Sequence, residues 1–193
     1  MLRPAIALPL GLMLAGCGLN AIPTAEETAK ARWADVQNDY QRRADLIPNL
    51  VSTVKAAGAQ EKSILVEVTQ ARASANAVHL SGDDLKDPAK VAAFSQVQGR
   101  VGVTLQRLQE AYPELKSQGN YTTLMSQLEG TENRITVARK DYNDAVQSYN
   151  TTIRTFPDAI GAKIFYGAKP MVPFAATTPD AQVAPTVNFG NAN

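Results

Sequence analysis

Apolar residues recur every three or four positions over most of the chain, which is the spacing of one face of an α-helix. The first such stripe runs from Trp33 to Val54 and resumes one position out of phase beyond the small residues 56–59. The phase shift leaves two predictions open for residues 26–78. Either one long helix overhangs its partners, or the helix breaks near Gly58 and supplies two helices.

Two further stripes predict two more long helices. One follows Asp87-Pro88, a helix start with Asp as N-cap and Pro at the first helical position, and ends near Tyr112. The next runs from Tyr121 to Phe156 before Pro157. Three seams predict an all-α fold, an antiparallel up-and-down bundle of three to four long helices of the long-hairpin type. The members of these two stripes are Val91, Phe94, Val97, Val101, Leu105, Leu108, Tyr112 and Leu115, then Tyr121, Leu124, Leu128, Ile135, Ala138, Tyr142, Ala145 or Val146, Tyr149, Ile153 and Phe156.

The chain changes character after the bundle, which we expect to cover residues 26–156. Residues 157–174 mix apolar side chains with Gly and Pro, which favours an irregular segment packed across the end or side of the bundle. Residues 175–193 are rich in Ala, Thr, Pro and Asn, a composition typical of an extended or disordered tail.

The N-terminus is typical of a secretory signal, with one basic residue followed by a short apolar run. The run ends at Leu14-Ala15-Gly16-Cys17, which resembles the lipobox of bacterial lipoprotein precursors. The resemblance implies that residues 1–16 are cleaved, that Cys17 is acylated, and that residues 17–25 form a short tether. An ordinary signal peptide cut nearby, or an uncleaved anchor, is the alternative.

Acylation at Cys17 would decide how the protein meets a membrane. Two or three acyl chains anchor stably, whereas one gives only marginal binding. Cleavage would remove Arg3 and leave 18 basic against 18 acidic residues, so charge is not the holding force. Gly18 after the Cys favours the outer membrane, by resemblance to Gram-negative lipoproteins. We therefore expect an extracytoplasmic, lipid-anchored protein of the cell envelope.

Composition argues against most chemistry. The 193 residues carry a formal charge of +1 with one Cys and one His, so neither nucleic-acid binding, nor a Cys-based zinc site, nor a bound cofactor is expected. His79 lies in a predicted turn and has Asn76 rather than Glu three residues before it, unlike a di-iron bundle. Glu129 and Glu132 lie one turn apart and are expected to be charged surface. We predict a non-enzymatic protein.

A set of short motifs covers nearly all of the chain after residue 25. The motifs are Tyr40-Gln-Arg-Arg-Ala-Asp-Leu-Ile-Pro-Asn-Leu-Val51, Glu61-Lys62, Ala71-Arg72-Ala73, Tyr112-Pro-Glu-Leu-Lys116, Leu128-Glu129, Thr131-Glu-Asn-Arg-Ile135, Ala138-Arg-Lys-Asp-Tyr-Asn143, Tyr149-Asn150, Phe156-Pro157 and Pro185-Thr-Val-Asn-Phe189. In this order they resemble the LemA family. That resemblance implies a membrane-attached, extracytoplasmic helical bundle, and it implies no reaction, because the family has no established biochemical activity. Many members begin with a transmembrane helix where this chain has the lipobox.

Pro48 lies inside a helical stripe, where it removes a backbone hydrogen bond and crowds the carbonyl of Ala44, at a cost of about 3 kcal/mol. We expect Asp45 or Asn49 to compensate by binding polar residues of the third long helix, so fixing the register of the bundle. A helix break at Pro48, or a ligand site, is the alternative. The polar candidates are Arg43, Asp45, Pro48 and Asn49 on the first helix and Glu132, Asn133, Arg139, Asp141, Tyr142 and Asn143 on the third.

These observations favour a structural or interaction protein, an adaptor or scaffold that binds an envelope protein while anchored through Cys17. A module that binds or senses a small ligand, in the bundle or under residues 157–174, is the second hypothesis, and an envelope hydrolase is a formal third. An enclosed polar cavity lined by Arg43 and Glu132 would favour the ligand.

Overall fold

The computed structural model describes residues 20–58 and 62–175, and the secondary structure there is entirely helical. Four long helices make the bundle, and a fifth is a single turn: α1 Ala21–Ala56, α2 Lys62–Asn76, α3 Pro88–Ala111, α4 Gly119–Thr152 and α5 Asp158–Gly161. The predicted all-α antiparallel bundle is confirmed. No helix within the described residues is apolar over enough length to cross a bilayer.

Gly58 marks the break between α1 and α2. Its φ of +85° lies in the left-handed region, which a residue with a Cβ rarely adopts, and α1 ends at Ala56 just before it. The two-helix prediction for residues 26–78 is therefore confirmed. At its other end α1 begins at Ala21, inside the segment expected to be a tether.

The later helices begin and end close to the sequence signals. The Asp87 carboxylate accepts the backbone N–H groups of Ala89 and Lys90, which caps α3 as the Asp87-Pro88 pair predicts. The fourth helix ends at Thr152, before the expected Phe156. Phe156 leaves the apolar seam and is 83% exposed.

The bundle packs α1 against α4 and α2 against α3, both antiparallel. Two apolar clusters make up the core. One lies toward the start of α1 and the end of α4, and the other lies toward the opposite end, where α2 is the fourth helix. The first cluster is centred on aromatic rings whose centroids lie 5.2–6.4 Å apart, namely Trp33, Phe94, Tyr142 and Phe174.

The fifteen residues of α2 are too few to cover the whole length of α1, so other segments complete the first cluster. The 77–87 connection contributes Leu80 and Leu85, and residues 168–175, here called the C-terminal strap, contribute Met171 and Phe174. Between α5 and the strap, a π-helical turn spans Ala162–Tyr166. Ile160, Ile164, Phe165 and Tyr166 face solvent, so only part of the predicted apolar segment packs on the bundle.

Candidate functional site

A polar layer centred on Arg43 separates the two apolar clusters. Arg43 is only 4% exposed and lies on α1 between Tyr40 of the first cluster and Ile47 of the second. Its Nη1 donates to Glu132 Oε1 of α4 at 2.8 Å. Its Nη2 donates to both oxygens of Gln98 on α3, the main-chain oxygen at 3.0 Å and Oε1 at 2.7 Å. One guanidinium therefore joins three helices.

The remaining polar groups of the layer also have partners. Gln98 Nε2 donates to the Ala75 carbonyl of α2 at 3.5 Å, which brings the fourth helix into the layer. The Arg43 guanidinium carbon lies 5.0 Å from the centroid of the Tyr40 ring. Burial raises the pKa of the Tyr40 hydroxyl, although the positive charges of Arg139 and Arg43 oppose the shift. The Glu132 side chain is 42% exposed, so only one end of the ion pair reaches solvent.

The expected pairing of Asp45 or Asn49 with α4 is wrong. Both residues are exposed, and Asp45 accepts a hydrogen bond from Gln41 of its own helix at 2.8 Å. Their positions on α1 face away from α4, whereas Arg43 faces it. Arg43 and Glu132 make the interhelical contact expected of this motif, and the exposed Asn133 takes no part in it among the described residues.

Pro48 neither breaks α1 nor is compensated by its neighbours in the motif. The helix continues through Pro48, and the carbonyl of Ala44, which Pro48 cannot bind, accepts a hydrogen bond from Arg72 Nε at 2.7 Å. Arg72 lies on α2, which folds back along α1 after Gly58. A side chain from the next helix therefore satisfies the carbonyl that the proline leaves free.

The polar residues of α4 bind the C-terminal strap. Asn143 donates to the Phe174 carbonyl at 3.1 Å and accepts the Phe174 N–H at 2.8 Å. Asn150 does the same with Met171, at 2.8 and 2.9 Å. Each side-chain amide thus replaces the neighbouring strand that an extended segment would otherwise pair with.

The two asparagines have the spacing that an antiparallel strap requires. Seven residues of helix from Asn143 to Asn150 rise about 10.5 Å, and three extended residues from Met171 to Phe174 span about 10 Å. Further hydrogen bonds to strap carbonyls come from Tyr142 to Val172, Tyr149 to Lys169 and Arg139 to Ala175, at 3.1, 3.1 and 2.9 Å. The guanidinium of Arg139 also lies 4.7 Å from the Phe174 ring centroid.

Three residues important to this arrangement were absent from the sequence-predicted site. Gln98 was missed because Val97 was assigned to the apolar seam, yet Gln98 is buried and Val97 is only half-buried. Arg72 and Asn150 lie in motifs noted in the sequence, without a role. Of the predicted residues, Asp141 is half-buried and joins neither the polar layer nor the strap contacts in the described part, and Cys17 lies outside the described residues.

The other candidates for chemistry lie apart from the polar layer. His79 is exposed, and the nearby Ser81 hydroxyl donates to Asp84 at 2.7 Å. The Asp84 carboxylate also accepts the Ser81 N–H and a Lys90 ammonium proton, and these hydrogen bonds hold its pKa well below the ordinary value. Within residues 20–58 and 62–175, no cluster of three His, Cys, Asp or Glu side chains could hold a metal ion.

A groove of about 560 Å³ runs between α3 and α4 beside the polar layer. Its walls include Gln106 and Gln109 of α3 and Ser126, Glu129 and Glu132 of α4. Arg43 does not line it, so this groove is not the cavity lined by Arg43 and Glu132 that would favour a ligand.

The fold and the site define the class of protein: an all-α four-helix bundle with a buried polar layer and a C-terminal strap bound to its last long helix. Residues 32–189 match the LemA family, and the chain belongs to that family. It is 27% identical over 157 residues to the magnetosome proteins MamQ 1 and MamQ 2 of Paramagnetospirillum magneticum, and equally so to MamQ of Magnetospirillum gryphiswaldense. These alignments cover 72% of this chain and 58% of each relative.

Proposed function

We propose that this LemA family protein is a non-enzymatic structural or interaction protein, attached through an acylated Cys17 to the extracytoplasmic face of a cell-envelope membrane. The lipobox-like Leu14-Ala15-Gly16-Cys17 supports the attachment. The relatives named as magnetosome proteins support a membrane setting. Where the cell has two membranes, Gly18 favours the outer one.

The observation that carries the proposal is that several polar side chains of the family motifs are used inside the molecule. Arg43 and Glu132 join helices, and Asn143 and Asn150 hold the strap through two hydrogen bonds each. Residues that a catalytic site would present to a substrate here hold backbone in place. These internal contacts favour a rigid structural role for the bundle.

Rigidity and length suit an adaptor that holds a partner away from a membrane. The 36 residues of α1 rise about 54 Å, and α4 runs beside it over nearly the same length. Attachment at one end would confine the molecule to the membrane surface and raise its local concentration for a partner there. The proposed partner is another envelope protein.

A crosslinking experiment tests this proposal. Cells producing the native chain or Cys17→Ser are treated with a mild crosslinker, and membrane and soluble fractions are compared by quantitative mass spectrometry. We expect an acylated N-terminal peptide beginning at Cys17 in the native protein only. We also expect one envelope protein to be crosslinked to the native chain and lost with Cys17→Ser.

A matched variant separates attachment from general damage. Asn49→Ala removes an exposed side chain of α1 and should leave both acylation and crosslinking unchanged. Unaltered membrane retention of Cys17→Ser, together with no enriched partner for the native chain, would contradict both the anchor and the adaptor role.

The groove beside Glu132 supports a second candidate function, small-ligand binding. Its amide, hydroxyl and carboxylate walls suit a polar molecule of modest size. Native mass spectrometry of protein released gently from membranes would detect a copurifying molecule of constant mass. Loss of that mass in Gln109→Leu, with unchanged thermal stability, would support the ligand over the adaptor.

A further inference from the structure

Exposed apolar side chains are concentrated in one short segment. Of the eight large hydrophobic residues exposed in the described part of the chain, five fall within residues 156–166. Phe156, Ile160 and Ile164 recur every four positions, and Phe165 and Tyr166 follow directly. We call these five residues the end patch; their exposed fractions run from 47% to 83%. So many exposed apolar side chains in one place mark an interaction surface.

The end patch lies at the end of the bundle where α1 begins. Ile22 at the start of α1 packs in the same apolar cluster as Ile153, which precedes the patch segment, and Ala162, which lies within it. A surface groove at this end is likewise lined by Ala21 and Thr24 of α1 together with Ser148 and Thr152 of α4. The patch therefore lies beside the point where the chain leaves the bundle toward its N-terminus.

The chain between this end and Cys17 is short. Only residues 18–20 separate Cys17 from Ala21, the first residue of α1. Because an extended chain spans at most about 3.6 Å per residue, Ala21 lies within about 15 Å of Cys17. An acylated Cys17, which is the proposed function on which this step rests, would hold the end patch close to the lipid surface.

Residues 154–169, which contain the patch, carry more basic than acidic side chains. Arg154, Lys163 and Lys169 are exposed there, against one acidic residue, the half-buried Asp158. Basic side chains beside apolar and aromatic ones are the composition of protein surfaces that lie in the interface between lipid headgroups and acyl chains. A chain of balanced overall charge thus has a basic excess along residues 154–169.

We propose that the end patch inserts into the interfacial region of an anionic lipid bilayer, as a second membrane contact beside the N-terminal attachment. Phe156, Ile164 and Phe165 enter the boundary between headgroups and acyl chains, while Lys163 and Lys169 bind lipid phosphates. Two contacts at the same end set the bundle with its far end, the α1–α2 turn, directed away from the membrane.

Depth-dependent fluorescence quenching tests this contact. The samples are the native chain, Phe165→Trp, Ile164→Trp and the control Val137→Trp. Each is mixed with vesicles of phosphatidylethanolamine and phosphatidylglycerol, with or without brominated acyl chains, and the vesicle-bound protein is isolated by flotation. The native Trp33 is buried and supplies a constant background, and Val137, 59% exposed, is an exposed residue on α4. All substitutions are at exposed sites, and thermal melting confirms the fold.

We expect brominated lipid to reduce the added emission of Phe165→Trp and Ile164→Trp at least twofold and to leave Val137→Trp and the native chain unchanged. Replacing phosphatidylglycerol by a neutral lipid should weaken the quenching. Floated protein whose two patch tryptophans are not quenched would overturn the proposal, and so would sedimentation showing that a second copy covers the patch.

A double variant, Cys17→Ser with Phe165→Trp, keeps this proposal distinct from the proposed attachment. If mass spectrometry finds no acyl group on Cys17 of the native chain, the attachment fails, and quenching of Phe165→Trp in the double variant still supports the patch. If flotation depends on Cys17 while Phe165→Trp remains unquenched, the attachment stands and the patch proposal is overturned.

Discussion

Two buried tyrosines differ in whether their hydroxyl groups have a hydrogen-bond partner. The Tyr142 hydroxyl donates to the Val172 carbonyl, whereas the Tyr121 hydroxyl has no hydrogen-bond partner among the described residues. A buried polar group without a partner destabilises the folded state. We expect Tyr121→Phe to raise the free energy of unfolding by about 1 kcal/mol and Tyr142→Phe to lower it by about 1 kcal/mol. Urea denaturation measures both, and a similar loss in the two variants would show that the Tyr121 hydroxyl has a partner.

Tyr142 also gives the fold a dependence on alkaline pH. Burial raises the pKa of its hydroxyl above the ordinary 10.0, so the folded state holds the proton after the unfolded chain has released it. The stabilisation is complete below pH 10 and falls as the pH rises above it, by about 1.4 kcal/mol per pH unit for one proton. Tyr142→Phe should reduce that slope in unfolding titrations from pH 9 to 11. An unchanged slope would assign it to the other tyrosines.

Pro48 and Arg72 should be energetically coupled. Replacing Pro48 by Ala restores an N–H for the Ala44 carbonyl, which then no longer needs Arg72. We therefore expect Arg72→Ala to cost about 1–2 kcal/mol in the native chain and at least about 1 kcal/mol less beside Pro48→Ala. A double-mutant cycle from chemical denaturation measures the coupling. Arg107→Ala, which removes an exposed pair with Glu67, should be additive with Pro48→Ala.

For single residues, the sequence predicts the unpaired backbone carbonyl better than it predicts the side chain that binds it. The free carbonyl at Ala44 follows from Pro48 alone, because proline has no backbone N–H to donate. Which side chain binds the Ala44 carbonyl depends on how α2 folds back after Gly58. A helical stripe does not specify the register between two packed helices. Arg72 was visible in the sequence as part of a motif, yet only the packing gives it a partner.

At the scale of elements, the strap is held by side chains in place of a sheet. Asn143 satisfies both main-chain groups of Phe174, so Asn143→Ala leaves an N–H and a carbonyl unpaired and exposes the edge of the aromatic cluster. We expect a loss of about 2 kcal/mol and faster amide exchange at Phe174 than at Met171, which Asn150 still holds. Hydrogen exchange by mass spectrometry measures this. Gln147→Ala, an exposed α4 substitution, is the control, and equal exchange at both strap sites would contradict independent clamps.

The helices and the strap differ in how far the sequence predicts them. Apolar periodicity, the Asp87-Pro88 cap and the positive φ at Gly58 are local, so α1 to α4 follow from the pattern nearly to their ends. The strap has no periodicity, because Met171 and Phe174 are buried against other elements and its backbone is paired by distant asparagines. The exposed Phe156 shows the same limit, since an apolar residue in phase with a seam still needs a partner element to cover it.

For the whole molecule, we expect the polar layer to set how the four helices align. The Leu, Ile and Val contacts of the second cluster are interchangeable and would tolerate sliding of one helix along another. Arg43 can donate to Gln98 and Glu132 at once only in the register that brings both residues beside its guanidinium. The sequence predicts a polar contact between α1 and α4 and includes Arg43 among its candidates. The preferred pairing through Asp45 or Asn49 is wrong, because Arg43 occupies the buried face although its charge interrupts the apolar stripe.

Removing the layer in two ways separates stability from register. Arg43→Leu leaves Gln98 buried without its partner and should cost about 3 kcal/mol, whereas Arg43→Leu with Gln98→Leu joins the two apolar clusters and should recover most of that loss. The double variant should nevertheless lose the unique alignment, seen as broadened amide spectra and as spin-label distances between α1 and α4 that spread over one helical turn. Glu132→Gln, which keeps an acceptor for Arg43 at the solvent-facing side, should retain a single distance. A double variant as stable as the native chain and with one sharp distance would mean that the apolar seams alone set the register.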